Sequence, residues 1–427
     1  MHLRKIIFLS ALAACLIPVG LSAQDSADEL QSKIDARARD IESLTKVIDQ
    51  YQAEIDALGD QGMSLSKTLA ELSLTQKKLQ ADIARTSGRI DSKNSEIRQL
   101  SSKIGKAEGN IADGKLYVSE ALRKMNELDD RSIPAIFLSG QSLSDAWSAV
   151  NKLGLLESSV TKRVREISYT KKGLETNRKA TERAKTELVK LEVQLNGQRK
   201  VVIETTKAQQ RLLADTKNSE AGYKKLLAEK VALKNEFERE IQLFESQLQL
   251  SVDASKLPRM SSILSWPLDS VLVTQYFGNT PFASANPQVY SGNGHNGIDL
   301  RASIGTPVKA SLAGTVIGSG NTDAIRGCYS LGKWILIKHA NGISTLYAHL
   351  SVQNVSAGNQ VATGQVIGYS GNTGYTTGPH LHFGVYASSG IEIKQFSASR
   401  SCRGATIPIA VTKAYLNPLS YLPQGRI

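Results

Sequence analysis

The sequence predicts α and β structure in separate domains: a long antiparallel α-helical coiled coil followed by a mainly antiparallel β domain. Two observations carry this. From residue 27 to about 250, apolar residues recur at alternating spacings of three and four, with almost no proline. That heptad pattern is the mark of a coiled coil. From Leu264 onward the charge runs vanish, and Gly, Val, Ile, Thr and Tyr rise in short segments between turn glycines. That pattern reads as antiparallel strands.

In the first helical arm the seam runs through Ile34, Ile41, Leu44, Ile48, Tyr51, Ile55 and Leu58. It continues through Leu65, Leu69, Leu72, Leu79, Ile83, Ile90, Ile97, Leu100 and Ile104, with Gln76, Thr86 and Lys93 as polar interruptions. One unbroken helix of about 100 residues would be on the order of 150 Å long. The second arm begins near Leu143. Val160, Ile167, Leu174, Thr181, Leu188, Leu195 and Val202 recur every seven residues, and Phe237, Ile241, Phe244 and Leu248 carry the pattern to its end. Between the arms, Arg131 to Gly140 contains Pro134 and a glycine, which break helices. The economical reading of residues 27–250 is one hairpin with its tip near 132–144; an intermolecular coil also satisfies the heptads. Residues 251–264, with Pro258, read as a linker, and 265–427 as the β domain. Its strand candidates are Val271–Phe277, Thr306–Ile317, Lys333–His339, Ser344–His349, Gly364–Tyr369 and His380–Tyr386.

Met1–Ala23 reads as a signal peptide: Arg4-Lys5, an apolar stretch from Ile6 to Leu21, then Ser22-Ala23 for cleavage. About 16 apolar residues are short for a membrane span, so the mature chain is expected to have none and to act in the periplasm or cell envelope. Leu12-Ala13-Ala14-Cys15 also matches a lipoprotein cleavage box, although the apolar run after Cys15 argues against that processing. The net charge is +12. Residues 258–427 hold 11 Lys and Arg against 4 Asp and Glu, so the β domain is the more basic part. A basic surface favours polyanions. No nucleic-acid motif accompanies it, and an anionic wall or membrane surface suits the targeting signal better.

Histidine is the informative residue. The chain has six, and four fall in three short motifs: Gly294-His295-Asn296-Gly297-Ile298-Asp299, Tyr347-Ala348-His349-Leu350, and Gly378-Pro379-His380-Leu381-His382-Phe383. Imidazole is the commonest side-chain metal ligand. On a strand, His380 and His382 point to one face. Two or three imidazoles with a carboxylate suit zinc and disfavour calcium or magnesium. His339, before an Asn341-Gly342 turn, reads as structural.

These motifs resemble the lysostaphin-type (LytM) zinc metallopeptidases, which cut peptide bonds in bacterial peptidoglycan. The likeness extends through Gly305-Thr306-Pro307-Val308, Gly364-x-x-Ile367-Gly368, Gly371-x-Thr373-Gly374 and Asn417-Pro418. It covers roughly residues 265–425. It implies zinc held by His295, Asp299 and His382, with His349 and His380 as unliganded catalytic histidines. Which of the two takes the proton of the attacking water and which faces the oxyanion is open; Tyr290 is a further candidate assistant. The family usually has Glu where this chain has Gly384. Against the family's compact pattern, the segments bearing Cys328 and Cys402 look like insertions, and their cysteines are expected to pair; two free thiols are the alternative.

A long coil before such a domain is also similar to the murein hydrolase activators of bacterial cell division. In those the coil docks on an ABC-transporter-like membrane complex, and the domain stimulates an amidase. That resemblance implies a non-hydrolytic alternative, with Ile133, Ile136, Phe137 and Leu138 either as a partner-binding tip or as residues that only pack the turn between the helices. The intact histidines favour the enzyme.

Overall fold

The structure is a computed structural model that describes residues 27–59, 64–129, 143–248, 252, 257, 262–280, 294–397 and 399–424. The segment expected to be a signal peptide, with Cys15, the expected hairpin tip, most of the expected linker and Tyr290 lie outside the described residues. Among the described residues four helices come first: α1 (Ala27–Gly59), α2 (Leu65–Asp129), α3 (Leu143–Thr216) and α4 (Glu220–Gln247). An antiparallel β region follows. The chain divides into two compact units, residues 1–38 with 91–187, and residues 39–90 with 188–427. Among the described residues no helix is long and apolar enough to cross a membrane.

In the first unit, α2 and α3 run antiparallel: Tyr117 donates to Ser159, Arg178 pairs with Glu108 at 2.6 Å, and Gly114 lies against Ile167. Partner numbers fall on one helix as they rise on the other. The start of α1 follows the same rule against α2, with Arg37 near Asp91 and Gln99 donating to Gln31.

The second unit contains the main departure from the sequence reading. The first arm is not one continuous helix. α1 stops at Gly59 and α2 starts at Leu65, and in this unit Lys78 donates to Gln52 at 2.6 Å, so the chain has reversed. Gly59 ends α1, and glycine is the poorest helix former after proline. The heptad register runs through because it reports which residues are apolar, not which way the chain points. The second arm is also interrupted. Lys217 and Asn218 adopt left-handed φ of 48° and 50°, and Ser219 caps the new helix by accepting from the Gly222 amide at 3.1 Å.

The main sheet has the strand order β1-β2-β9-β6-β5-β4-β7. Its strands are β1 (Val273–Gln275), β2 (Ile298–Arg301), β3 (Pro307–Lys309), β4 (Gly314–Asn321), β5 (Lys333–Lys338), β6 (Ile343–Gln353), β7 (Gln360–Val361), β8 (Val366–Ser370), β9 (His380–Ala387) and β12 (Tyr415–Leu416). β3 pairs with β8, β8 with β6, and β12 with β9. The strand expected over 306–317 is two strands, because β3 and β4 pair with different neighbours. β10 (Ile391–Gln395) and β11 (Thr406–Ala410) form a separate hairpin. The core gathers Trp266, Ile298, Leu300, Ile335, Tyr347, Leu381 and Phe383, all buried. Burying a side chain of this size stabilises by roughly 1.5–3 kcal/mol each.

The helices of this unit also pack on the β domain. Leu72, Leu79 and Val201 share a buried cluster with Ile304, Val352 and Tyr369. Around it, Lys333 meets Glu204 at 2.7 Å, Arg301 meets Asp56 at 3.1 Å, and Ser303 donates to Gln52.

Cys328 and Cys402 are bonded, 74 residues apart. In the chain-entropy account, closing a loop of that size stabilises by about 4 kcal/mol. The double variant Cys328→Ser, Cys402→Ser is therefore expected to unfold at lower denaturant with the sheet otherwise intact. An unchanged denaturation midpoint would contradict this.

Candidate metal and catalytic centre

The register of β2 on β9 builds the centre. Asp299 is the cross-strand partner of His382, and Arg301 of His380. Directly opposed residues hold their Cβ atoms about 4.5–5.5 Å apart, so carboxylate and imidazole meet: Asp299 Oδ1 is 3.0 Å from His382 Nδ1. His295 arrives from the turn before β2. A two-way backbone pairing with Gly278 pins it, each amide donating to the other's carbonyl at 2.8 Å. Its Nε2 lies 3.1 Å from His382 Nδ1 and 3.3 Å from Asp299 Oδ1. Gly297 leaves the room this requires, because a Cβ there would sit 2.8 Å from His382 Cε1.

Among the described residues, His295, Asp299 and His382 form the group able to hold a metal ion, with ligand atoms all within 4.8 Å of one another. The donor set fits zinc. Tetrahedral ligands on bonds of about 2.0–2.1 Å lie about 3.4 Å apart, close to the separations here. Protonation states fit as well. The His295 Nδ1 is 3.0 Å from the Tyr276 carbonyl, which directs Nε2 toward Asp299 and His382. Outer hydrogen bonds of this kind fix the tautomer of a metal-binding imidazole. Burial lowers the His382 pKa against the pull of Asp299, so the ring is neutral. Burial would raise the Asp299 carboxyl, but hydrogen bonds from His295 and His382 and the nearby His380 outweigh it. The net position is well below the ordinary carboxylate range.

His349 and His380 stand beside the group. Their rings are 4.7 Å apart, and His349 lies 6.0 Å from the His382 ring. His380 Nε2 is 3.7 Å from Asp299 Oδ1. Each donates Nδ1–H to a backbone carbonyl, His349 to Thr373 at 2.9 Å and His380 to Gly378 at 2.8 Å. In each ring Nε2 is the nitrogen not engaged with that carbonyl. Burial, reinforced by His380 and His382, holds the His349 pKa well below its usual value. His349 also has φ +61°. It sits where β6 passes from pairing with β9 at Ala348 to pairing with β8 at Leu350. Strain of this kind clusters at functional sites.

All five histidine and aspartate candidates thus share one cavity of about 460 Å³. His339 lies apart. Its Nδ1–H donates to the Ala313 carbonyl at 3.0 Å, and its Nε2 is 2.9 Å from the Thr345 hydroxyl. His339→Ala leaves buried polar groups unpaired, which costs about 1–3 kcal/mol. Thermal unfolding is expected to fall by that measure with metal content unchanged. Gly384, where the family usually has Glu, faces Leu346 across β6, and the space above it is taken by the Tyr386 ring. Sequence reasoning missed the helical wall of the cavity: Lys234, Glu238, Gln242 and Glu245 of α4 line it, opposite Tyr375, Tyr386 and Tyr415. The available signal was the change from Leu and Val to Phe237 and Phe244 at the end of the second arm.

Residues 293–394 match the model of Peptidase family M23. The chain carries a Peptidase family M23 domain. Similar proteins include the DD-carboxypeptidase/endopeptidase Mpg of Neisseria meningitidis serogroup B, 44% identical over 106 residues, or 25% of this chain and 23% of the relative. The peptidoglycan DD-endopeptidase ShyA of Vibrio cholerae serotype O1 is 46% identical over 89 residues, or 21% of this chain and 19% of the relative. The chain thus spans less than a quarter of the length of these relatives. Among solved structures, the catalytic domain of lysostaphin from Staphylococcus simulans is 36% identical; the match covers 28% of this chain and 82% of that one, with a TM-score of 0.24. The M23 domain holds all five candidate residues, His295, Asp299, His349, His380 and His382.

Proposed function

We propose that the chain is a secreted zinc metallo-endopeptidase that hydrolyses peptide cross-links or stem peptides of peptidoglycan in the cell envelope. The observation that carries this reading is the joint placement of a His-Asp-His donor group and two further histidines in one cavity. The relatives named as peptidoglycan endopeptidases support the substrate class. When bound by His295, Asp299 and His382, zinc supplies Lewis-acid polarisation and water activation. The protein's own part is proton movement. His349 Nε2 accepts a proton because its other nitrogen already donates to Thr373. Once protonated, it becomes a donor at the same atom, toward a leaving amine or a developing oxyanion. His380 has the same arrangement through Gly378. The helical region, residues 27–250, would position or regulate the domain across the 251–264 linker, with an inner-membrane division complex or an amidase as its partner.

The test is zinc content together with digestion of purified peptidoglycan by the full mature chain. Stoichiometric zinc with release of soluble muropeptides is the expected result. Zinc without digestion under any condition, combined with stimulation of an amidase that survives His349→Ala, would replace the enzyme by the activator reading.

A further inference from the structure

The peptide unit that orients the His349 ring is gripped from its other edge. His349 Nδ1 lies 2.9 Å from the Thr373 carbonyl, and that carbonyl shares one rigid plane with the Gly374 N–H. The Gly374 N–H donates to Asp323, at 3.0 Å from each carboxylate oxygen. In a trans peptide the C=O and N–H point to opposite sides, so His349 and Asp323 hold the two edges of one plane. Gly374 has φ +74°. Glycine takes either sign of φ readily, so a turn built on it can flip its peptide and carry the carbonyl away from the ring. The Thr373 side chain is tied elsewhere. Its hydroxyl accepts from the Lys333 amide at 3.0 Å and donates to the Leu350 carbonyl at 2.8 Å, which anchors the residue without setting the plane that follows it.

We infer that Asp323 is a positioning residue for His349, its carboxylate locking the Thr373–Gly374 peptide so that the Thr373 carbonyl faces the imidazole. The inference rests on the peptidase reading above, in which His349 moves a proton. Asp323 belongs to the segment 321–331, which carries Cys328, and its backbone is fixed there. Its amide donates to the Asn321 side-chain oxygen at 3.1 Å. The preceding Thr322 and Gly332 exchange hydrogen bonds, amide to carbonyl one way and amide to hydroxyl the other, each at 2.9 Å. The same segment reaches the site twice more. The Leu331 carbonyl accepts the His349 amide at 3.0 Å, and the Ser330 carbonyl accepts the Tyr375 amide at 2.9 Å. The two stretches meet backbone to backbone, because a Cβ on Gly374 would strike the Ser330 carbonyl oxygen and the Gly332 nitrogen. His349 is thus held twice by one segment: its amide directly through Leu331, and its ring through Asp323 and the Thr373–Gly374 plane. The backbone contacts come with any side chains, whereas the hold on the plane depends on an acceptor at position 323.

The experiment compares the zinc-loaded full chain with Asp323→Ala and Asp323→Asn. Asp323 is exposed, so neither replacement opens a core cavity. Three quantities are read: the nitrogen shifts of the His349 ring in histidine-labelled protein at about pH 8, where an ordinary imidazole is neutral; zinc content; and kcat and KM on a soluble cross-linked muropeptide. His349→Asn identifies the ring signals. Asp323→Ala is expected to move the His349 ring from the Nδ1–H tautomer toward a mixture of both. It should also lower kcat by about tenfold to a hundredfold, with KM and zinc content unchanged. Asp323→Asn keeps an acceptor oxygen and should restore most of the loss. Unchanged His349 signals in Asp323→Ala would overturn the inference. An Asp323→Asn protein no better than the alanine variant would also overturn it, because the charge of Asp323 and not its hydrogen bonds to Gly374 would then matter. Zinc loss in step with kcat would overturn it as well, by making Asp323 a support of the metal group. Shifted ring signals with no digestion even by the wild type would leave the clamp in place and remove the peptidase reading.

Discussion

His382→Ala is expected to strip the centre of metal and bring peptidoglycan digestion to background. Three protein donors surround the site, and His382 makes the two shortest contacts among them, at 3.0 Å from Asp299 and 3.1 Å from His295. Its removal leaves two ligands and a nearly buried carboxylate without its main donor. Loss of an outer-shell partner alone typically costs about 10–100-fold in metal affinity, so loss of a ligand should exceed that. The measurement is metal content after competition with a chelator, run beside His339→Ala as a control with an equally buried ring. A His382→Ala protein that still held one zinc per chain would remove His382 from the ligand set. Folding should survive, because β9 keeps its ladder to β2 and β6 through backbone bonds.

Much of this centre was legible because strand geometry translates sequence spacing directly into direction. His380 and His382, two apart, share a face of β9 as the period of two requires. His295, Asp299 and His349 could be named from motifs. The cross-strand pairing of Asp299 with His382 could not, because register depends on neighbours far along the chain. The reversal between Gly59 and Leu65 was hidden for a related reason: a heptad seam looks the same on a straight helix and on two helices folded back on each other. β7, β10, β11 and β12 lie outside the strand candidates, β7 and β12 because strands of two residues carry too little alternation to be read. The most consequential omission was α4 as a wall of the cavity. Phe237 and Phe244 were read as seam residues, which is what their spacing says. That their partners are Phe396 and the disulfide segments is a fact of tertiary packing alone.

His349→Asn should separate catalysis from metal binding. Asparagine tolerates the left-handed backbone that His349 adopts at φ +61°, so the turn of β6 into β8 is kept, which alanine would put under strain. The ligand group His295, Asp299 and His382 is untouched, and zinc content should equal that of the wild type. What is lost is the Nε2 lone pair beside the cavity, with its tautomer set by the Thr373 carbonyl. A positioned proton carrier contributes about 10²–10⁴-fold, and kcat should fall within that range. KM should change little, because the ring is buried and offers substrate little surface. His380→Ala provides the comparison. Its ring borders Asp299 at 3.7 Å, so its loss should lower kcat while also loosening the hold on the carboxylate, seen as faster zinc exchange. If His349→Asn retained near-wild-type kcat while His380→Ala lost it, the proton role would belong to His380 alone. Loss of zinc from His349→Asn would instead place His349 among the ligands, which its distance from the donor group argues against.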